Sequence, residues 1–574
     1  MASLQARRSR GHTYWHIVES RRVNGKPRPI PVFYLGKADD LLARLRGEDS
    51  LRIRSAAHGA VAALWAQAKD LGMAAVIDAK LALTGRRASG GDLGPEQPKQ
   101  SLAKNDGLTV GQSLTLASLG RACHATSKRG FAEWAGSTTL GALAEVEVER
   151  LTSQHFWDQM DQVPVQAIDL IESELTGHVL KRFDIPLDTV LFDATNFFTF
   201  IASTNNRSTL PARGHQKQKR DDLRQVGVAL LCSRIGGIPL WHQTYGGQLA
   251  DAKSFAEAVP AVRQRLVELH RDVTSLTIVF DKGNVSRANQ KLVDGSDMHY
   301  VTGLTTASQK ALVQKANPLL APVALASGEE VLAFREQRMI WGVERTAVVM
   351  LSERLREGQA RGVLQHVACA QKWLSELAQT LRRGKQKRDK AQIQRDIEKR
   401  LQGRQRLSDV LTYELTGEAP NLTLSFGFDQ AAFEALKRDT LGRIVLMTDH
   451  DAWSTAEIID TYHGQSKIEA VFAHLKDPMH IALRPQFHWT DQKLHVHVLT
   501  CILGYLLAQC VFLKAQRAGA PYRSSEALLD ALNNVRLATV ARSTNSRGSI
   551  RVTSQLEEIN PTLGPYLPVL GVGA

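Results

Sequence analysis

The chain has 574 residues, too many for one ordinary core, so two to four domains are expected. Hydrophobic residues make up 43%, which excludes general disorder. Lys and Arg exceed Asp and Glu by 72 − 58 = +14, a balance that favours a polyanionic partner, either nucleic acid or an acidic membrane surface.

The N-terminus, "MASLQARRSRGHTYW", is basic and lacks the apolar core of a signal peptide. "YWHIVESRRVNGKPRPIPVFYLG" (Tyr14 to Gly36) reads as two strands joined around Asn24-Gly25, a strong hairpin signal. From Ala56 to about Ala82 the chain is rich in Ala and Leu and helical. "TGRRASGGDLGPEQPKQ" (Thr84 to Gln100) has the composition of a linker. Helical patterning returns from about Gly107 to Phe183, most clearly in "VPVQAIDLIESELTGHVLKRF".

The period then changes. "LDTVLFDATNFFTF", "QVGVALLCSR" and "GIPLWHQTYGG" are strand-like, and a helix is expected from about Ala252 to His270. "SLTIVFDKGNVS" is another strand, followed by a helix near Arg287 to Val293 and a strand in "MHYVTGL". Three strands in a row suit an antiparallel meander, and the later alternation suits parallel strands with helical crossovers. Asp193 is expected to close the first of these strands and Asp281 the fourth. From Thr305 to Leu441 the character is that of an insertion, with "EVLAFREQRMIWGVERTAVVML" strand-like and "LRRGKQKRDKAQIQRDIEKRLQGRQR" a long charged helix. "GRIVLMTDHDAWSTAEIIDTYH" returns a strand and then a helix, with Ser454 as N-cap and Glu457 completing a capping box. The longest apolar run, Val498 to Leu513, falls short of the roughly 18 residues that mark a membrane span and reads as a buried helix. Five scattered cysteines without a CxxC pair fit a reducing cytoplasm and offer no zinc site. Nucleic acid is therefore the favoured partner.

One further stretch focuses the reading. In "YHGQSKIEAVFAHLKD", Tyr462, Glu469 and Lys476 are spaced by almost two helical turns, with Gln465 one turn before Glu469. Ile468, Val471 and Leu475 fall on another face that suits burial. Asp193 and Asp281 at strand ends, with Glu469 on a helix, could together hold two divalent ions for phosphoryl transfer. Hard carboxylate oxygens select Mg²⁺ or Mn²⁺.

In these residues the chain resembles insertion-sequence transposases of the DDE class, within them the branch marked by Tyr-x2-Arg-x3-Glu-x6-Lys. Tyr462, Glu469 and Lys476 match that signature, and Gln465 stands where the family usually has arginine. "FDATN", "FDKGN" and the long, partly β insertion before Glu469 are also similar to the family. The resemblance implies an α/β (α+β overall) architecture: a ribonuclease H-like mixed sheet with flanking helices, interrupted by a partly β insertion, plus a mainly helical N-terminal region with a β-hairpin. The expected divisions are 1–180 for DNA binding, 181–304 and 442–515 for the two parts of the catalytic domain, 305–441 for the insertion, and 516–574 as a C-terminal region.

The same resemblance implies Asp193, Asp281 and Glu469 as catalytic metal ligands for two Mg²⁺ or Mn²⁺ ions, with Tyr462, Gln465 and Lys476 on DNA. The implied substrate is double-stranded DNA, both element ends and target. The implied actor is a homodimer on DNA, in a bacterial cytoplasm beside the nucleoid and away from membranes. The implied reaction is binding of terminal inverted repeats, metal-dependent cleavage, and joining of 3′-hydroxyl ends to target, with no serine or tyrosine nucleophile. A catalytically inactive DNA-binding descendant and a nuclease without strand transfer are the alternatives. Asp221, Asp222, Asp251 and Asp449 read as turn or cap residues, and Asn196 and Lys282 as capping or shielding groups. Trp341 reads as packing, and His463, His474, His480, His495 and His497 as core or phosphate contacts. The basic run Arg382 to Lys390 is either a DNA-backbone track or a solvated face.

Overall fold

A computed structural model describes residues 2–9, 12–23, 26–38, 51–88, 107–202, 204–214, 222–270, 272–383, 389–402, 406–418, 421–484, 488–544 and 549–573. The Asn24-Gly25 turn, most of the expected linker before Gln100, Asp221 and residues 384–388 of the basic run lie outside them. The chain divides into two compact units, one of residues 1–75, 100–159 and 503–574, the other of residues 76–99 and 160–502.

In the first unit, β1 (Ala2–Ser9), β2 (His12–Val23) and β3 (Lys26–Lys37) form an antiparallel sheet in that order. β2 and β3 are the two arms of the expected hairpin, paired up to Val23↔Lys26. β1 is an added strand that the polar run "ASLQARRS" does not announce; it pairs along β2 from Ala2↔Glu19 to Ser9↔His12. A second small sheet joins β4 (Leu51–Ala57) to β16 (Arg536–Thr544) and β17 (Ser549–Leu556). The expected Ala-rich helix is two, Gly59–Asp70 and Met73–Ala88, parted where Gly72 takes φ +62°. Gly59 is obligatory because a Cβ there would lie 2.4 Å from the Leu532 carbonyl oxygen.

The second unit is built on a nine-stranded mixed sheet. One end of it is the meander β5 (Thr189–Thr199), β6 (Arg224–Ser233) and β7 (Pro239–Gly246), antiparallel throughout, with β7 at the edge. β8 (Thr277–Phe280) runs parallel to β5, and β9 (His299–Leu304) parallel to β8. The helices Asp251–His270 and Arg287–Asp294 are the crossovers that parallel pairing requires. This is the strand order expected from the change in hydrophobic period.

The segment between β9 and the Glu469 helix contributes to the same sheet. β15 (Arg443–Thr448) pairs antiparallel with β9, β12 (Val343–Leu351) with β15, β11 (Glu330–Ile340) with β12, and β10 (Ala321–Ala324) with β11. Between β12 and β15 the helices Glu353–Arg382, Lys390–Gln402 and Gln430–Asp439 and the hairpin of β13 (Leu411–Thr416) and β14 (Thr423–Phe428) close over their own core, with Leu374, Ile397 and Val410 fully buried. The apolar run after Val498 belongs to the helix Asp491–Arg517, long and apolar enough to cross a membrane but with Val498, Leu499, Cys501 and Leu507 buried in the protein.

Candidate active site on the central strands

Register places the two aspartates. In the parallel pair β5–β8 the last partners are Phe192 and Phe280. Asp193 and Asp281 are the next residue on each strand, so they leave adjacent strands at one level, with backbones roughly 4.8 Å apart. Asp281 follows the end of β8 and is extended, with φ −76° and ψ 157°. Asp193 does not close its strand. β5 continues to Thr199 because β6 pairs with it from Ser233 to Arg224. What ends at Asp193 is the pairing with β8.

Alternation sets the face on which they emerge. Phe192 and Phe280 both pack on Phe255 of the helix Asp251–His270, with ring centroids 4.9 and 4.7 Å away. Asp193 and Asp281, one residue on, therefore project from the opposite face. The helix Gln465–Lys476 lies against β5 there, with Lys476 Nζ donating to Thr195 Oγ1 at 2.5 Å. Thr195 is two residues after Asp193 and so shares its face. The ammonium also stands 5.4 Å from the centre of the Phe197 ring, the next residue on that face.

The stretch around Glu469 is two helices rather than one. Thr455–His463 begins at the expected capping box, Ser454 accepting from the Glu457 N–H and the Glu457 carboxylate accepting from the Ser454 N–H. Gly464 separates it from Gln465–Lys476 by a single residue still in the right-handed helical region. Ile468, Val471 and Leu475 are buried, as their spacing requires, and Glu469 is exposed. Gln465 is buried, 8% exposed, rather than aligned with the exposed Glu469. Its position three residues before Ile468 turns it toward the sheet. Its Nε2 donates to the Phe192 carbonyl at 3.4 Å, and its Oε1 is enclosed without a partner.

Tyr462 links the helices to the acidic rim. Its hydroxyl stands 3.4 Å from Asp281 Oδ1. Burial, then the charges of Asp281 and Glu469, push its ionisation above the usual tyrosine value. The phenol is thereby held protonated, as a donor and not an oxyanion nucleophile. Gly303 on β9 lies beneath it, since a Cβ there would come within 2.8 Å of the hydroxyl. In the sequence Gly303 carries one signal, a glycine inside the strand "HYVTGL", which often marks a close approach.

Asp193, Asp281 and Glu469 offer only hard carboxylate oxygens, which fit Mg²⁺ or Mn²⁺. Asp193 Oδ1 accepts from the Ala194 N–H at 2.8 Å. The three ligand atoms are not all within 4.8 Å of one another. Among the described residues one group of three meets that limit, His299, Asp449 and His450, beside the start of β8 and β9.

Other residues singled out from sequence have local roles. Asp449 accepts from the Tyr300 N–H, Asp222 is exposed in a turn, and Asp251 opens a helix. Trp341 forms a two-residue hairpin turn with Gly342, at φ +56° and +89°. His480 contacts Asp477 at 3.1 Å, His497 lies 3.7 Å from Cys501 Sγ, His474 is buried and His463 exposed, and burial lowers the ionisation of His495.

No family model matches the chain, and no curated protein matches it in sequence. Among solved structures it is similar to a piggyBac transposase synaptic complex with hairpin DNA, at 8% identity over 80% of this chain and 76% of that chain, with a TM-score of 0.37. It is also similar to a pre-cleavage Mos1 transpososome, at 10% identity over 38% of this chain and 64% of that chain, with a TM-score of 0.15.

Proposed function

We propose that this chain is a DDE transposase. It binds double-stranded DNA at the terminal inverted repeats of its element, cuts there by metal-dependent hydrolysis, and joins the 3′-hydroxyl ends to target DNA. The observation that carries this reading is the placement of Asp193 and Asp281 one residue past the last paired residues, Phe192 and Phe280, of adjacent parallel strands, with the Glu469 helix against β5. On this reading the nine-stranded sheet is the ribonuclease H-like core, and the chain works as a homodimer on DNA in a bacterial cytoplasm.

Asp193, Asp281 and Glu469 would hold two Mg²⁺ ions, which supply an activated water or 3′-hydroxyl and stabilise the leaving oxygen. The chain's own groups position the phosphate. Tyr462 keeps its proton and offers a neutral donor beside Asp281. Lys476, anchored by Thr195, supplies a cation along β5 for a phosphate oxygen. Gln465 acts from below, holding the Phe192 carbonyl that precedes Asp193 and so fixing the strand at its last residue paired with β8. The excess of 72 Lys and Arg over 58 Asp and Glu supports a polyanionic substrate.

The test is an in vitro reaction of the purified chain with DNA carrying the sequences that flank its gene, plus a supercoiled target and Mg²⁺. Joined products are expected. Cleavage without joining would reassign the chain as a nuclease, and binding without cleavage as a DNA-binding descendant.

A further inference from the structure

The start of the β8–β9 pair carries a different donor set from the acidic rim. His299 begins β9, and Asp449 and His450 follow directly on β15, which pairs with β9. One ligand atom from each lies within 4.8 Å of the others. His299 Nδ1 is 2.9 Å from Asp449 Oδ2, and the two imidazole centroids are 4.3 Å apart. β8 has four residues, Thr277 at one end and Phe280 before Asp281 at the other. The cluster is therefore removed from the aspartates by about 13 Å of strand, four steps of roughly 3.3 Å.

Two of the three groups, Asp449 and His450, are held from behind. Asp449 Oδ1 accepts from the Tyr300 N–H at 3.0 Å, leaving Oδ2 toward the histidines. One ring nitrogen of His450 pairs with Thr277 Oγ1 at 2.8 Å, and the ring stacks on Trp453 at 3.6 Å and 6°. Such partners fix ring orientation and tautomer around metal-binding imidazoles. All three residues are half-buried, so an ion can enter from solvent.

From this geometry we infer that His299, Asp449 and His450 form a second metal site, selective for a transition ion such as Zn²⁺ and separate from the acidic rim. Two imidazoles and one carboxylate favour Zn²⁺ or Co²⁺ over Mg²⁺. Ligands at about 2.1 Å from one tetrahedral ion stand roughly 3.4 Å apart, a distance these side chains reach by small rotations, with water as fourth ligand. The ion replaces the hydrogen bond between His299 and Asp449; the Nδ1 proton moves to Nε2 or leaves to solvent. The consequence lies in the loop after β15. That loop runs from Asp449 to Ser454 and opens the helix that carries Tyr462, so an ion clips the base of that helix to β9.

The experiment is a competition titration of Zn²⁺ against a chromophoric chelator, using full-length chain first stripped with EDTA, with Co²⁺ absorption as a second readout. One site per chain is expected, unaffected by excess Mg²⁺ and kept in Asp193→Asn. His299→Gln and His450→Gln should each weaken it roughly tenfold or more and remove the Co²⁺ visible band. Asp449→Asn, which retains an acceptor for the Tyr300 N–H, replaces either histidine variant that does not fold. The inference is overturned if the wild-type chain binds no Zn²⁺, if these variants bind it as tightly as wild type, or if Asp193→Asn loses it equally.

Discussion

Gly303→Ala isolates the part played by the Tyr462 hydroxyl. The new Cβ would lie 2.8 Å from Oη and 3.4 Å from Cζ, and ordinary contact begins at 3.4 Å, so the hydroxyl must retreat by about 0.6 Å (3.4 − 2.8), and the ring to which it is rigidly bonded must tilt with it. The hydroxyl already stands 3.4 Å from Asp281 Oδ1, beyond the usual hydrogen-bond range, and has no slack to absorb that shift. A misplacement of about 1 Å near reacting groups can cost about a hundredfold. The expected loss in the cleavage rate of element-end DNA is therefore roughly 10- to 100-fold, or about 1.4–2.7 kcal/mol of activation free energy. Overpacking should lower folding stability by only about 1 kcal/mol, read as a modest fall in Tm. The decisive arm is Tyr462→Phe, which removes the atom that the new methyl meets. In that background Gly303→Ala should cost almost nothing further, so the two losses are strongly non-additive. A Gly303→Ala substitution that is harmless in the wild-type chain, or equally harmful with and without the Tyr462 hydroxyl, would rule out this part for the hydroxyl.

Asp193→Asn, Asp281→Asn and Glu469→Gln should each abolish cleavage while DNA binding in a mobility-shift assay stays equal or tightens, because a negative charge beside phosphates is removed; residual cleavage near wild-type rate in any of them removes that residue from the site. Lys476→Ala should weaken binding and flatten the log–log salt dependence by about 0.9, the value for one phosphate contact, and an unchanged slope would confine Lys476 to its bond with Thr195. Gln465→Arg, placed where the side chain is buried against Phe192, should leave that slope unchanged; a slope steeper by about one contact would put residue 465 on the DNA instead. Because Tyr462 is shifted upward, its donor form persists through pH 10, the ordinary tyrosine value. The alkaline limbs of the cleavage profiles of wild type and Tyr462→Phe should therefore coincide, and an alkaline loss found only in wild type would contradict the shift.

The elements governed by periodicity were legible in the sequence. Burial of Ile468, Val471 and Leu475, the capping box at Ser454, and the order of meander, crossover and parallel strands all follow from spacing that the backbone obeys locally. What escaped depends on partners distant in sequence. β5 runs past Asp193 because β6 is long enough to pair with it, a fact absent from "FDATN" itself. Gln465 lies only one helical position from the buried stripe, so a count of turns cannot decide its side; the proximity of β5 does. The strands of 330–351 read as part of an insertion, yet they extend the central sheet because β15 offers them an edge. Asp449 looked like a turn residue and does cap Tyr300, but His299, 150 residues earlier, faces its other oxygen. No local pattern announces that meeting.

In the proposed function Asp193, Asp281 and Glu469 act as one metal site on DNA. A structure of the chain with element-end DNA and Mn²⁺, the ions located by anomalous scattering, tests that assignment most directly. Two ions about 3.5–4 Å apart are expected among those three carboxylates, with the scissile phosphate on them and the Tyr462 hydroxyl beside it. Ions bound away from Asp193 and Asp281, or Glu469 turned from them with DNA in place, would contradict the assignment.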